Sequence, residues 1–211
     1  MIYSFCRILT YSANAWIRQK VWLDNMRKIA VIFPGVGYNQ DRPLLYYAGK
    51  VAMSSGFDVE RIVFSKLEWS KEKLKDQAFL MQMLDKCLHT TGETLKNIGD
   101  MSGDEVIFIS KSIGTVVAAA YAREKDLNVK HICFSPLEPI GEYIKEESGI
   151  LFYGDNDPYA DYIPIEKIAR EKKLETYRVS GGNHSLETGD VLTDIENIKD
   201  IMMRITTVMP R

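Results

Sequence analysis

The chain has 211 residues, 45% of them hydrophobic and 27% charged, with a formal net charge of -2. That is the balance of an ordinary globular domain, long enough to bury roughly 70% of its unfolded surface. It offers no basic excess for nucleic acid or an anionic membrane surface, and no apolar run approaches the ~20 residues that cross a bilayer.

The three cysteines, Cys6, Cys87 and Cys133, form no CxxC pair and no disulfide framework, which suits a reducing cytoplasm. Cys133 falls in a strand pattern and reads as a small buried apolar residue.

Residues 1–25 stand apart from the rest of the chain. Arg7 interrupts their only apolar stretch and no small-residue cleavage site comes after it, so they do not read as a signal peptide. Ile2, Phe5, Leu9, Ala13, Trp16 and Ile17 fall at helical spacing. The segment is expected to be an N-terminal extension, helical or dispensable, ahead of one domain over residues 26–211.

From Lys28 onward strand and helix patterns alternate. A strand over 28–33 is followed by a helix over 42–55, with Leu44, Leu45, Ala48, Val51 and Ala52 on one side. A strand over 58–64 precedes a long amphipathic helix over 71–98, with a break expected near Thr90 to Gly92. A strand over 104–109 leads into an Ala-rich helix reaching about residue 125, and the next strand covers 128–134. Residues 135–148 make a short connection with a helical turn expected at 143–147. The remaining pattern is a strand over 149–153, a helix over 164–173, a strand over 174–179 and a closing amphipathic helix over 194–207. Such alternation specifies an α/β fold: a doubly wound, mainly parallel six-stranded sheet with helices on both faces.

One junction carries more chemistry than the others. The β-branched run Glu105-Val106-Ile107-Phe108-Ile109 stops at Ser110-Lys111-Ser112-Ile113-Gly114, and the Ala-rich helix begins at once. A strand turning sharply into a helix, with Ser at the apex and small residues two before and two after it, resembles the nucleophile elbow of α/β-hydrolases. Ser110 stands where that pattern usually has Gly. Two later strands end in loops of matching chemistry, Gly154-Asp155-Asn156-Asp157-Pro158 and Ser180-Gly181-Gly182-Asn183-His184. The order Ser, Asp, His, each just beyond a strand, is the α/β-hydrolase order.

From Lys28 to Thr207 the chain resembles a minimal α/β-hydrolase of the small, lid-less serine-esterase or dienelactone-hydrolase-like type. The resemblance implies Ser112 as nucleophile, His184 as base and Asp157 as the acid that orients the imidazole. It also implies an oxyanion hole from the backbone N–H of Ile113 and of Val36, in a loop where Pro34 replaces the family's usual His. About 14 residues between the fourth and fifth strands are too few for a cap domain, so an open site is expected.

The histidine inventory agrees. His131 begins its strand and belongs at the opposite end of the sheet, His89 lies within the long helix, and only His184 occupies a Gly-rich loop after a strand. Asp155 and Asp161 flank Asp157; the Gly-x-x-Asp-Pro spacing favours Asp157, and Asp155 suits turn formation. Tyr38 either lines the pocket or packs in its loop. Gly35-Val36-Gly37 lacks the third glycine of a dinucleotide loop, and no phosphate-binding Lys-Ser/Thr pair is present, so no cofactor is expected. A metal is not expected either.

The expectation is a cytoplasmic serine hydrolase cleaving an ester or thioester of a small molecule through an acyl-serine, with no nucleic-acid partner and no membrane insertion. The alternatives are a non-catalytic binding protein on the same fold, or an acyltransferase.

Overall fold

The computed structural model describes residues 26–64 and 77–209. The expected extension over 1–25 and the first six residues of the expected long helix lie outside them. The elements are β1 (Lys28–Phe33), α1 (Pro43–Ser54), β2 (Asp58–Arg61), α2 (Gln77–Leu95), β3 (Glu105–Lys111), α3 (Ile113–Glu124), β4 (Val129–Phe134), a 3-10 helix (Glu138–Glu142), β5 (Gly149–Gly154), α4 (Tyr162–Glu171), β6 (Glu175–Val179) and α5 (Val191–Val208). All strand pairings are parallel, in the order β2-β1-β3-β4-β5-β6.

Strand alternation divides the core in two. Ile29, Val31, Phe33, Val106 and Phe108 face α2, α3 and α4. Ala30, Ile32, Ile107 and Ile109 face α1 and α5, which supply Leu44, Leu45, Ala48, Ile201 and Ile205. With both faces covered, the central strands are apolar almost without interruption, as a buried parallel sheet requires. The chain runs outward from β1 to β2 and then returns to β3 on the other side of β1. The loops after β1 and β3 therefore leave the same rim side by side, at the reversal point where crevices open in such sheets.

Four expected boundaries shift, each for a visible reason. The expected break near residues 90–92 is absent: α2 runs through it, because its buried stripe continues through Cys87, Thr91 and Leu95 at helical spacing. The second strand ends at Arg61 rather than residue 64, with the Ile62 carbonyl taken by the Gln40 side chain at 2.6 Å. The helical turn expected at 143–147 lies instead at Glu138–Glu142, where Pro139 presets the first turn and Ile140 is fully buried beneath it. The helix expected from residue 164 begins at Tyr162, since the Asp161 carboxylate accepts the Ile163 N–H at 3.0 Å as an N-cap. Cys133 is buried, as its strand position requires.

Candidate active site

β3 extends two residues further than the apolar run, so Ser112 follows it directly. Ser112 takes φ 54° and ψ −124°, a left-handed conformation that a Cβ-bearing residue adopts only when its surroundings hold it, at a cost of about 1–3 kcal/mol. Two glycines permit the packing around it. A Cβ on Gly114 would meet the backbone oxygens of Pro34 and Phe33 at 2.6 and 2.7 Å, so the first turn of α3 can press on the end of β1 only without a side chain. A Cβ on Gly35 would sit 3.1 Å from the Ser112 Cβ, which brings the β1–α1 loop against the elbow. Ser110, the departure from the usual glycine, is accommodated: its buried hydroxyl donates to the Ile132 carbonyl at 3.4 Å.

The three residues expected to act together do meet. His184 Nε2 lies 2.8 Å from Ser112 Oγ, and His184 Nδ1 lies 2.6 Å from Asp157 Oδ2. The Asp157 side chain is 1% exposed, and its other oxygen accepts the N–H groups of Tyr159 (2.8 Å) and Ala160 (3.2 Å). A carboxylate with both oxygens committed cannot rotate freely, so it fixes the ring that it touches. Burial lowers the His184 pKa from its ordinary value; the Asp157 hydrogen bond opposes that, and the positive charge of Lys111 adds to it.

The neighbouring acids have other duties. Asp155 accepts the Gly181 N–H at 2.6 Å and so ties the β5 loop to the β6 loop, while Asp161 caps α4. The other histidines stand elsewhere. His89 is on the exposed side of α2, and His131 is buried in β4, its ring edge-on to Phe108 at 5.8 Å. Tyr38 packs in its loop: it belongs to the core beneath α1, and its hydroxyl accepts the Leu44 N–H at 3.2 Å.

Ser112 and His184 open into a cleft of about 410 Å³, lined also by Val36 and Ile113, the two residues expected to offer N–H donors. Leu80, Met81 and Leu84 of α2, together with Ile113 and Val116 of α3, form an apolar wall. Glu138, Glu142 and Asp161 also line the cleft. The Tyr159 ring lies against His184, with centroids 5.1 Å apart.

No family model and no curated protein sequence matches the chain. Solved structures do. A lid-less α/β serine hydrolase from Xanthomonas campestris superposes with a TM-score of 0.60 at 13% identity, over 88% of this chain and 84% of that one. Est1E from Butyrivibrio proteoclasticus, solved with ferulic acid bound, gives 0.61 at 13% over 86% and 90%. An α/β serine hydrolase homologue from Coxiella burnetii gives 0.57 at 14% over 85% and 86%. The chain has the α/β-hydrolase fold.

Two residues of this site escape a reading by motif. Ser135, at the end of β4 with φ 44°, donates its hydroxyl to the His184 carbonyl at 2.8 Å and so pins the histidine loop from the neighbouring strand. Lys111, immediately before Ser112, is completely buried. A polar residue closing a buried strand next to the elbow was the available signal for both.

Proposed function

We propose that the protein is a serine hydrolase that cleaves an ester or thioester of a small molecule through an acyl-Ser112 intermediate. The observation carrying this reading is the unbroken relay from Ser112 Oγ through His184 to Asp157, at 2.8 and 2.6 Å. His184 Nε2 takes the Ser112 proton as Oγ attacks the carbonyl carbon. Asp157 holds the Nδ1–H tautomer and offsets the imidazolium charge. The tetrahedral oxyanion is met by the N–H groups of Ile113, at the N-terminus of α3, and of Val36, each worth about 3 kcal/mol in the transition state. The imidazolium returns its proton to the leaving alcohol or thiol. Water then repeats the sequence and frees the acid.

The wall of Leu80, Met81, Leu84, Ile113 and Val116 supports an apolar acyl group. Buried free thiols at Cys87 and Cys133 suit a cytoplasmic setting.

A panel of p-nitrophenyl esters and matching thioesters from two to eight acyl carbons tests the proposal. Turnover that rises with chain length and disappears in Ser112→Ala is expected. Equal turnover by Ser112→Ala would overturn it.

A further inference from the structure

Lys111 is 0% exposed, and its Nζ has no hydrogen-bond partner. Strand alternation sets it on the same face as Ile107 and Ile109, at the carboxyl end of the core beneath α1. Its stem runs under the β1–α1 loop, where a Cβ on Gly35 would lie 3.3 Å from Lys111 Cγ. Its Nζ stands over the Tyr38 ring, 5.2 Å from the centroid. The stem alone gives no reason for lysine here. Methionine would fill the same space without an amine that loses its water, and Ile107 and Ile109 show what this face otherwise selects. The amine itself needs a function.

The charges around it supply one. Lys111 directly precedes Ser112, whose Oγ lies 2.8 Å from His184 Nε2, so its buried amine stands one residue from the relay. Asp157 and Glu187, in the β5–α4 and β6–α5 loops, favour its charged form, and that charge opposes protonation of His184. Tyr38, whose hydroxyl is engaged with Leu44, covers it from the β1–α1 loop, with Arg42 nearby. His184 is also faced by Asp157 and Tyr159, and it shares its cleft with Glu138, Glu142 and Asp161.

We propose that Lys111 is an electrostatic positioning residue of the relay, whose buried ammonium balances Asp157 and disfavours a second positive charge on His184. This rests on the reading of His184 as the base. The imidazole then remains a proton acceptor further into the acidic range than Asp157 alone would allow. Burial pulls the amine down to about 7 while Asp157 and Glu187 pull the other way. The ammonium is thus present below neutrality, the range in which imidazole would otherwise gain its proton, and it fades above it.

The test is an NMR titration of the His184 imidazole in wild type, Lys111→Met and Lys111→Arg, with His184→Asn assigning the resonance. Removing the charge should raise the midpoint by about half a unit to one unit, and Lys111→Arg should leave it near wild type. The ratio of kcat/KM at pH 5.5 to that at pH 8, on p-nitrophenyl acetate, should fall about three- to tenfold in Lys111→Met. An unshifted imidazole in a folded Lys111→Met protein overturns the proposal, and Lys111→Gln carries the same decision if the methionine variant does not fold. A shifted imidazole in a protein that hydrolyses no ester would sink the hydrolase reading while leaving the Lys111–His184 coupling in place.

Discussion

The two ends of the sheet are made from the same strands and treat polar groups in opposite ways. At the amino end, charged residues have charged partners and each pair reaches water: Arg27, 45% exposed, grips the nearly buried Asp104 with both Nε and Nη2, and Lys28 reaches Glu105 at 3.7 Å. The part-exposed Lys28–Glu105 pair contributes little to stability. At the carboxyl end, Asp157 and Lys111 are buried, and His184 is bonded on both ring nitrogens. His131 and Lys111 sharpen the contrast, since each is fully buried with an unpartnered nitrogen. His131 touches an aromatic ring, and burial alone drives its pKa down to about 4. Lys111 lies within the field of two carboxylates and of the base. One end of the sheet is built for packing. The other concentrates buried charge where it holds one serine hydroxyl against one imidazole.

The largest effect should come from breaking the relay. Ser112→Ala and His184→Ala are each expected to lower kcat on a p-nitrophenyl ester by about 10⁴–10⁶-fold, and Asp157→Asn by about 10³–10⁴-fold. Asp155→Asn, which loses a 3.8 Å pairing with Arg178 and weakens a tie to the Gly181 N–H, should stay within about tenfold of wild type. A loss in Asp155→Asn as deep as in Asp157→Asn would exchange their roles.

The next effect tests whether the elbow depends on close backbone approach. Gly114→Ala, with backbone oxygens 2.6 and 2.7 Å from the new Cβ, should destabilise the protein by about 3 kcal/mol or more in urea titration. An unchanged midpoint would mean that β1 and α3 can separate without penalty.

Acid should weaken the fold through His131. Its folded pKa of about 4 lies below the unfolded value near 6.5. Stability is therefore complete above pH 6.5 and falls as the pH drops from there toward 4, by on the order of 3 kcal/mol. His131→Phe should remove most of that loss and leave ester hydrolysis intact, checked by thermal melts at pH 7 and pH 4.5. Equal acid sensitivity in the variant would place the acid-labile group elsewhere. Activity follows a different group: with the His184 pKa lowered by burial, the acid limb of kcat/KM should lie below the ordinary histidine range.

The smallest effect belongs to Gly92, where an added Cβ meets nothing within 4 Å inside the continuous helix α2. Gly92→Ala should stabilise by about 0.5–1 kcal/mol, the reverse of Gly114→Ala. Destabilisation would restore the helix break expected near Thr90 to Gly92.

What the chain announces in advance is chemistry confined to short neighbourhoods. Ser112 between a β-branched run and an Ala-rich helix, and Asp157 and His184 in glycine-bearing loops after strands, are legible because strain and turns select residue types locally. What it conceals depends on partners far away in sequence. Nothing near Ser135 says that its hydroxyl will meet the carbonyl of His184, 49 residues later. Nothing near Lys111 says that it will face Asp157. Local punctuation misleads too: Thr90-Thr91-Gly92 looks like a stop, but the buried stripe of Cys87, Thr91 and Leu95 carries the helix through.

Trapping the acyl-enzyme tests the central claim most directly. The protein is mixed with a fluorophosphonate, or with p-nitrophenyl acetate and quenched in acid, and its intact mass and peptide map are read. One adduct per chain on Ser112 is expected, absent in Ser112→Ala and formed at least a thousandfold more slowly in His184→Ala. A folded wild type that acquires no adduct, or one that carries it on another residue, would contradict the account.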